Sequence, residues 1–309
     1  MLAVNRSIES AEETAELIRG EGGEAVAFKA DITREADIIA TMGEDALPQQ
    51  IAKKKAELDR LRAEAPHGLD NLSRSHDIEL TYTSNAIEGN TLTAAETRMV
   101  VEHGITIGGK PLKDHLEAVG HFEALHYVRD LARQAEPLRE ADIRNLHRLV
   151  MQRADPDAAG RYADQGRYVE TDQGRHHFPS PAEVPARMGD FVQWLGSAPA
   201  TPETAFTAHR RLVEIHPFND GNGRTARLVM NLVLLRSGYP PVAVRPQDRP
   251  EYIGALQDAQ GGRGSARLGR LLYERLDATL GESLSALHEA LTAPTTPAPP
   301  KPKADEPAP

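Results

Sequence analysis

A histidine, a carboxylate, two glycines and two arginines fall within the twelve-residue run His216-Pro217-Phe218-Asn219-Asp220-Gly221-Asn222-Gly223-Arg224-Thr225-Ala226-Arg227. Each is a group that phosphate chemistry uses. An imidazole titrates near neutrality and can take up a proton. One carboxylate, with phosphate oxygens and water, is an ordinary Mg2+ environment. The Gly221-Asn222-Gly223 turn can bare backbone N–H groups, and the apolar run after it reads as a helix. An anion held there gains free donors and the positive end of the helix dipole. Arg224 and Arg227, three apart on one helical face, can neutralise phosphate charge. Alone, such a histidine is more often a core or capping residue, and an Asp before Gly is more often a turn former. Their company is what points to chemistry.

The run fills every defined position of His-x-Phe-x-(Asp/Glu)-Gly-Asn-Gly-Arg-x-x-Arg, and by it the chain resembles the Fic family. The resemblance implies a nucleotidyltransferase, a protein adenylyltransferase moving AMP from Mg·ATP to a Ser, Thr or Tyr hydroxyl of a protein target, the chain itself included. His216 would be the general base, worth about 10²–10⁴-fold, with Asn222 and Arg224 also catalytic. Gly221, Asn222, Gly223, Arg224 and Arg227 would bind the nucleotide phosphates, and Asp220 would hold Mg2+. Related toxin kinases carry Lys where this chain has Gly223, so Gly223 favours nucleotidyl over phosphoryl transfer. There is no Gly-x-x-x-x-Gly-Lys-Ser/Thr stretch, which excludes a P-loop enzyme. A Fic enzyme using another nucleotide or phosphocholine, one that removes AMP, and a non-catalytic nucleotide-binding regulatory module are the alternatives.

A second stretch bears on the first. Ile78, Leu80, Tyr82 and Ile87 have helical spacing, and Gly89 suits the residue just past a helix end. Glu88 then lies in the last turn, where its charge opposes the helix dipole by roughly 0.3–1 kcal/mol. Such a carboxylate wants a partner elsewhere. Thr83-Ser84-Asn85-Ala86-Ile87-Glu88-Gly89-Asn90 resembles the Fic inhibitory motif, with Ser84 and Glu88 at its defined positions and Arg227 as the implied partner. Pairing would keep the ATP γ-phosphate out of its productive place. A charge-assisted bond of roughly 1.5–3 kcal/mol corresponds to about a 10–100-fold effect. The chain thereby resembles the Fic class with an intramolecular N-terminal inhibitory helix.

These residues need elements to carry them. Phe206, His209, Leu212 and Val213 recur at helical spacing and bring His216 to a helix end that Pro217 stops. After the motif, Leu228, Val229, Leu232, Val233 and Leu235 supply a buried face, closed by Gly238-Tyr239-Pro240-Pro241. Tyr168–Thr171 and His176–Phe178 fit two short strands about a turn at Asp172–Arg175, where Fic proteins carry a flap. The resemblance implies that Val169, Thr171 and His177 would be its target-docking residues, a strand edge being able to pair with an extended segment. Tyr252 and Leu256 match a Tyr-x-x-x-Leu feature that lies near the nucleotide base in the family. The expected fold is all-α, a Fic-fold helical bundle with a small β-hairpin flap.

The 309 residues suffice for one large core or two modest ones, and 5% aromatic content with abundant aliphatics suits helix packing. A net charge of −10 argues against broad nucleic-acid binding. With no cysteine, no thiolate chemistry is available. No membrane span or signal peptide is evident, and a cytoplasmic protein is expected. A homo-oligomer is compatible with this. Residues 1–40 resemble a short-chain dehydrogenase fragment, with Ala25–Phe28 as a strand. They lack its glycine-rich loop, so a remnant or a mis-started segment, poorly packed on the rest, is expected. Residues 41–134 form an N-terminal helical region with a solvated helix over 48–64 and the inhibitory motif at 84–89. Within it, a helix from Lys113 to Val128 would bury Ala118, Phe122, Leu125 and Val128. Its histidines 115, 121 and 126 lack ligand spacing for zinc. The catalytic core spans 135–264, with a helix near 138–153 burying Ile143, Leu146, Leu149 and Val150. A C-terminal helix spans 265–291, and a Pro/Ala-rich disordered tail 292–309.

Overall fold

The computed structural model describes residues 2–5, 26–29, 46–65, 67–171 and 174–292. Among them, ten α-helices carry the fold: α1 (Ala46–Glu64), α2 (Asp70–Ile87), α3 (Ala94–His103), α4 (Leu112–Ala132), α5 (Glu140–Met151), α6 (Val184–Ser197), α7 (Pro202–Ile215), α8 (Asn222–Arg236), α9 (Arg249–Gln260) and α10 (Ala266–Thr292). Two strand pairs complete it. β1 (Leu2–Asn5) and β2 (Val26–Lys29) run parallel, while β3 (Tyr168–Thr171) and β4 (Gly174–His177) form an antiparallel hairpin. The all-α expectation with a small hairpin holds. No helix among the described residues is long and apolar enough to cross a membrane.

α8 is the centre of the bundle. It packs on α7, α4 and α5, and every residue from Arg224 to Leu234 is buried. A one-sided buried face was expected there; burial all round is what a helix enclosed by neighbours shows. Leu235, expected in that face, is half-buried. α7 is started by Thr201, whose hydroxyl accepts the Thr204 N–H, and by Pro202 in its first turn. α4 buries Ala118, Leu125 and Val128 and leaves Phe122 half-buried, edge-on to His126. α5 buries Ile143, Leu146 and Val150, while Leu149 is half-buried.

α1 differs from its expected character as a solvated helix. Ile51, Leu58 and Leu61 are buried along the side that packs on α10. Lys54 pairs with Asp277 at 2.8 Å across the same contact. The abundance of Lys and Glu hid an apolar stripe at i, i+7, i+10. β2 falls on the strand expected near Ala25–Phe28. The turn expected at Asp172–Arg175 is shorter: Gly174 and Arg175 pair with Thr171 and Glu170 inside β4, and Phe178 follows that strand instead of ending it. Residues 172–173, the remaining expectations for residues 1–40 and the tail beyond Thr292 lie outside the described residues.

Candidate active site

α7 ends at Ile215, and His216 caps it with φ 49°, the one non-glycine residue with positive φ among those described. A left-handed conformation costs such a residue about 1–2 kcal/mol, and here it turns the imidazole out of the helix into the site. His216 Nδ1 lies 3.3 Å from the Val213 carbonyl, which can only accept. The proton therefore sits on Nδ1, and Nε2 carries the lone pair. Phe178, the residue after β4, stacks on the ring at 3.8 Å and 11°. Burial, and then the nearby Arg167 charge, pull the imidazole down to about 4 against the opposing Val213 bond and the Glu88 and Asp220 charges.

The anion loop follows. Asn222 is buried and its side chain turns back: Oδ1 accepts the Phe218 N–H at 2.9 Å and Nδ2 donates to the Phe218 carbonyl at 2.8 Å. Its side chain thus shapes the loop, leaving its backbone at the mouth of α8. Gly221 has φ 74° and caps α8; a Cβ there would lie 2.9 Å from Met151 Sδ and 3.1 Å from the His147 ring. His147 on α5 holds the loop from behind. Its Nε2 donates to the Asp220 carbonyl at 2.9 Å, its Nδ1 accepts the Gly160 N–H at 3.0 Å, and it stacks on Phe218 at 3.7 Å. Asp220 keeps its carboxylate largely in solvent, 58% exposed, with Oδ1 accepting the Gly221 N–H at 2.6 Å.

The two arginines behave differently. Arg224 is 2% exposed, with Nη1 at 3.1 Å from Glu117 of α4 and Nη2 at 3.5 Å from Asp220. Arg227 is equally enclosed and faces α2. Its Nε donates to Ser84 Oγ at 2.9 Å, and its Nη2 donates to the Ser84 carbonyl at 2.9 Å and to Glu88 Oε1 at 2.7 Å. Glu88 stands immediately after α2, and the Arg249 side chain caps that helix by donating to the Ile87 carbonyl at 2.8 Å. A Cβ on Gly223 would lie 2.5 Å from Glu88 Oε1, so the carboxylate rests on the first turn of α8.

The expected site residues His216, Asp220–Arg224, Arg227, Ser84 and Glu88 thus converge from α2, α7 and α8. Tyr252 is buried, with its hydroxyl 3.4 Å from Arg227 and 2.7 Å from His209. In the hairpin, Val169 pairs with His176, Tyr168 with His177 and Thr171 with Gly174. β4 leads directly to Phe178, which ties the hairpin to His216. Sequence reasoning missed Glu117, His147, His209, Phe178 and Arg249. One trace of Glu117 existed: Asp114, Glu117 and His121 recur at i, i+3, i+7 within a helix whose other periodic positions are apolar.

The Fic/DOC family pattern matches residues 137–234. "Protein adenylyltransferase Fic" of Nematostella vectensis is 43% identical over 186 residues, 59% of this chain and 43% of that protein. The chain thus spans less than half the length of that relative. A Fic domain containing signaling protein from Bacteroides thetaiotaomicron superposes with a TM-score of 0.71 at 30% identity, covering 77% of this chain and 97% of the other. Fic-1 from C. elegans, residues 134–508, gives 0.67 at 33% identity, covering 78% and 73%.

Proposed function

Since the chain belongs to the Fic/DOC family, we propose that it is a protein adenylyltransferase held in check by Glu88. His216 Nε2 takes the proton of a target Ser, Thr or Tyr hydroxyl as that oxygen attacks the α-phosphorus of ATP. The bond from the α-phosphorus to the α,β-bridging oxygen breaks, AMP stays on the target, and pyrophosphate leaves. Neutrality of the imidazole at physiological pH makes it a base rather than an acid in this step. The N–H groups at the mouth of α8 receive phosphate oxygens. Arg227 meets the terminal phosphate, and Arg224, oriented by Glu117, adds positive charge behind the loop.

Asp220 fits Mg2+: its carboxylate is exposed at the loop, and no cluster of three or more acidic or histidine ligands accompanies it among the described residues. A single carboxylate completed by phosphate oxygens and water is the mode such a donor set allows. Bound there, Mg2+ would neutralise phosphate charge. A cytoplasmic setting, with ATP and Mg2+ at hand, goes with this reading.

The observation that carries it is the Glu88–Arg227 pair at 2.7 Å over Gly223. A carboxylate seated on a helix N-terminus and bonded to a guanidinium occupies the seat of a phosphate. The test is intact-protein mass after incubation with Mg·ATP for wild type, Glu88→Gly and Glu88→Gly/His216→Ala. AMP added in the Glu88→Gly protein and absent from the double variant is expected. Equal labelling of wild type and Glu88→Gly would sink the inhibitory role; undiminished labelling of the double variant would sink His216 as base.

A further inference from the structure

Arg227 is tied from two directions, and the two sets of ties belong to different elements. Three bonds come from α2 and its end: Ser84 Oγ, the Ser84 carbonyl and Glu88 Oε1. The fourth comes from α9, where Tyr252 accepts from Nη1 at 3.4 Å and its ring centroid lies 6.0 Å from the guanidinium carbon. Displacing Glu88 removes one bond of the first set and leaves the two from Ser84, which hold Arg227 towards α2. The second set rests on parts of the fold that need not move.

Tyr252 is itself braced. It is 1% exposed, and its hydroxyl lies 2.7 Å from Nε2 of His209, which is fully buried on α7. With Arg227 donating to the phenol oxygen, the phenol O–H can donate to Nε2, the tautomer that leaves the Nδ1–H buried without a partner. A neutral imidazole can accept there, and a protonated one cannot. Burial, then the Arg227 charge, depress His209 to about 3 and keep it neutral. His209 lies seven residues before His216, so about two turns of α7 separate the brace from the residue that caps the helix.

We infer that Tyr252, braced by His209, is a positioning residue that keeps Arg227 aimed at the terminal phosphate of a nucleoside triphosphate once Glu88 has left it. The inference deepens the proposed function and rests on its assignment of Arg227. It also gives Tyr252 a different task from contact with the nucleotide base: the effect passes through Arg227 and requires a γ-phosphate.

ATP and ADP differ by that phosphate, so their affinities separate the cases. Equilibrium titrations with each nucleotide and Mg2+ would use Glu88→Gly, Glu88→Gly/Tyr252→Phe, Glu88→Gly/His209→Gln and Glu88→Gly/Arg227→Met. The Glu88→Gly protein should prefer ATP over ADP, and Arg227→Met should erase the preference. Tyr252→Phe removes one oxygen without changing shape. It should weaken ATP by about tenfold, the loss of one modest bond to a charged group, and leave ADP within about twofold. His209→Gln should act in the same direction and less strongly. If Tyr252→Phe keeps the full ATP preference, or weakens ATP and ADP alike, the inference is overturned, the second result marking a base contact or a packing role. If Glu88→Gly shows no preference for ATP, or Arg227→Met preserves one, the assignment of Arg227 falls and takes the inference with it.

Discussion

The base role proposed for His216 needs a neutral imidazole, and burial favours that form. The folded group titrates at about 4 through burial and the Arg167 charge. Activity of the Glu88→Gly protein should therefore hold as pH falls from neutrality and drop through about 4, where Nε2 takes a proton and can no longer accept one. An unperturbed histidine would put that acid limb near about 6.5. A pH profile of kcat/KM distinguishes the two, and a limb near the higher value would remove the electrostatic account. Replacing His216 by Ala should lower transfer by about 10²–10⁴-fold. At the partner end of the switch, Glu88→Gly should raise initial rates about 10–100-fold, the equivalent of losing one charge-assisted bond. Glu88→Gln, which keeps size and loses charge, should raise them by less. Rates with saturating Mg·ATP decide this.

Elements set where these groups can stand. The loop before α8 turns tightly because Gly221 adopts φ 74° against Met151 and His147. Gly221→Ala would bring left-handed strain of about 1–2 kcal/mol together with a 2.9 Å approach to Met151 Sδ. Nucleotide binding should weaken by at least about tenfold, with thermal unfolding still cooperative; unaltered ATP affinity would show that the loop tolerates another shape. Gly120 belongs to packing alone. α4 and α5 approach so closely that a Cβ would lie 2.7 Å from the Leu149 carbonyl oxygen and 3.0 Å from that of Val150. Backbone cannot give way as a side-chain tip can, so Gly120→Ala should destabilise by about 1–3 kcal/mol. Calorimetry should show a lower Tm, by about 2–4 °C per kcal/mol.

At the scale of the molecule, the α1–α10 contact and the Glu88–Arg227 contact use different residues but share one core. α1 and α10 clasp each other through Leu58 and its neighbours, while the proposed switch joins Glu88 after α2 to Arg227 on α8. Leu58→Ala should cost about 2–5 kcal/mol and lower Tm, with Glu88 still repressing. Derepression in that variant would mean that the two regions are coupled through the core. One large apolar cluster spans α1, α2 and α4 through α10, and a small satellite of Leu92, Val100 and Ala118 anchors α3 to α4. α2, which carries Ser84 and leads to Glu88, is thus built into the same bundle as α7 and α8.

Much of this was legible in residue order because the chemistry is local. His216 to Arg227 are neighbours in the chain, a helix begins within the glycine turn at Asn222, and Glu88 stands four residues after Ser84, just past the end of α2 rather than in its last turn. The hairpin showed itself through β-formers around turn residues. What spacing could not reveal was long-range partnership. Glu117 beneath Arg224 lies 107 residues away in sequence (224 − 117 = 107), and His147, His209 and Arg249 come from helices whose amphipathic patterns resemble any buried helix. α1 looked solvated because long Lys and Glu side chains outnumber the three apolar residues that face α10. Local order fixes which groups are present and which face of a helix they take. The tertiary structure decides which buried charge meets which carboxylate, because that depends on how whole helices cross and on which polar groups are left needing a partner once water is gone.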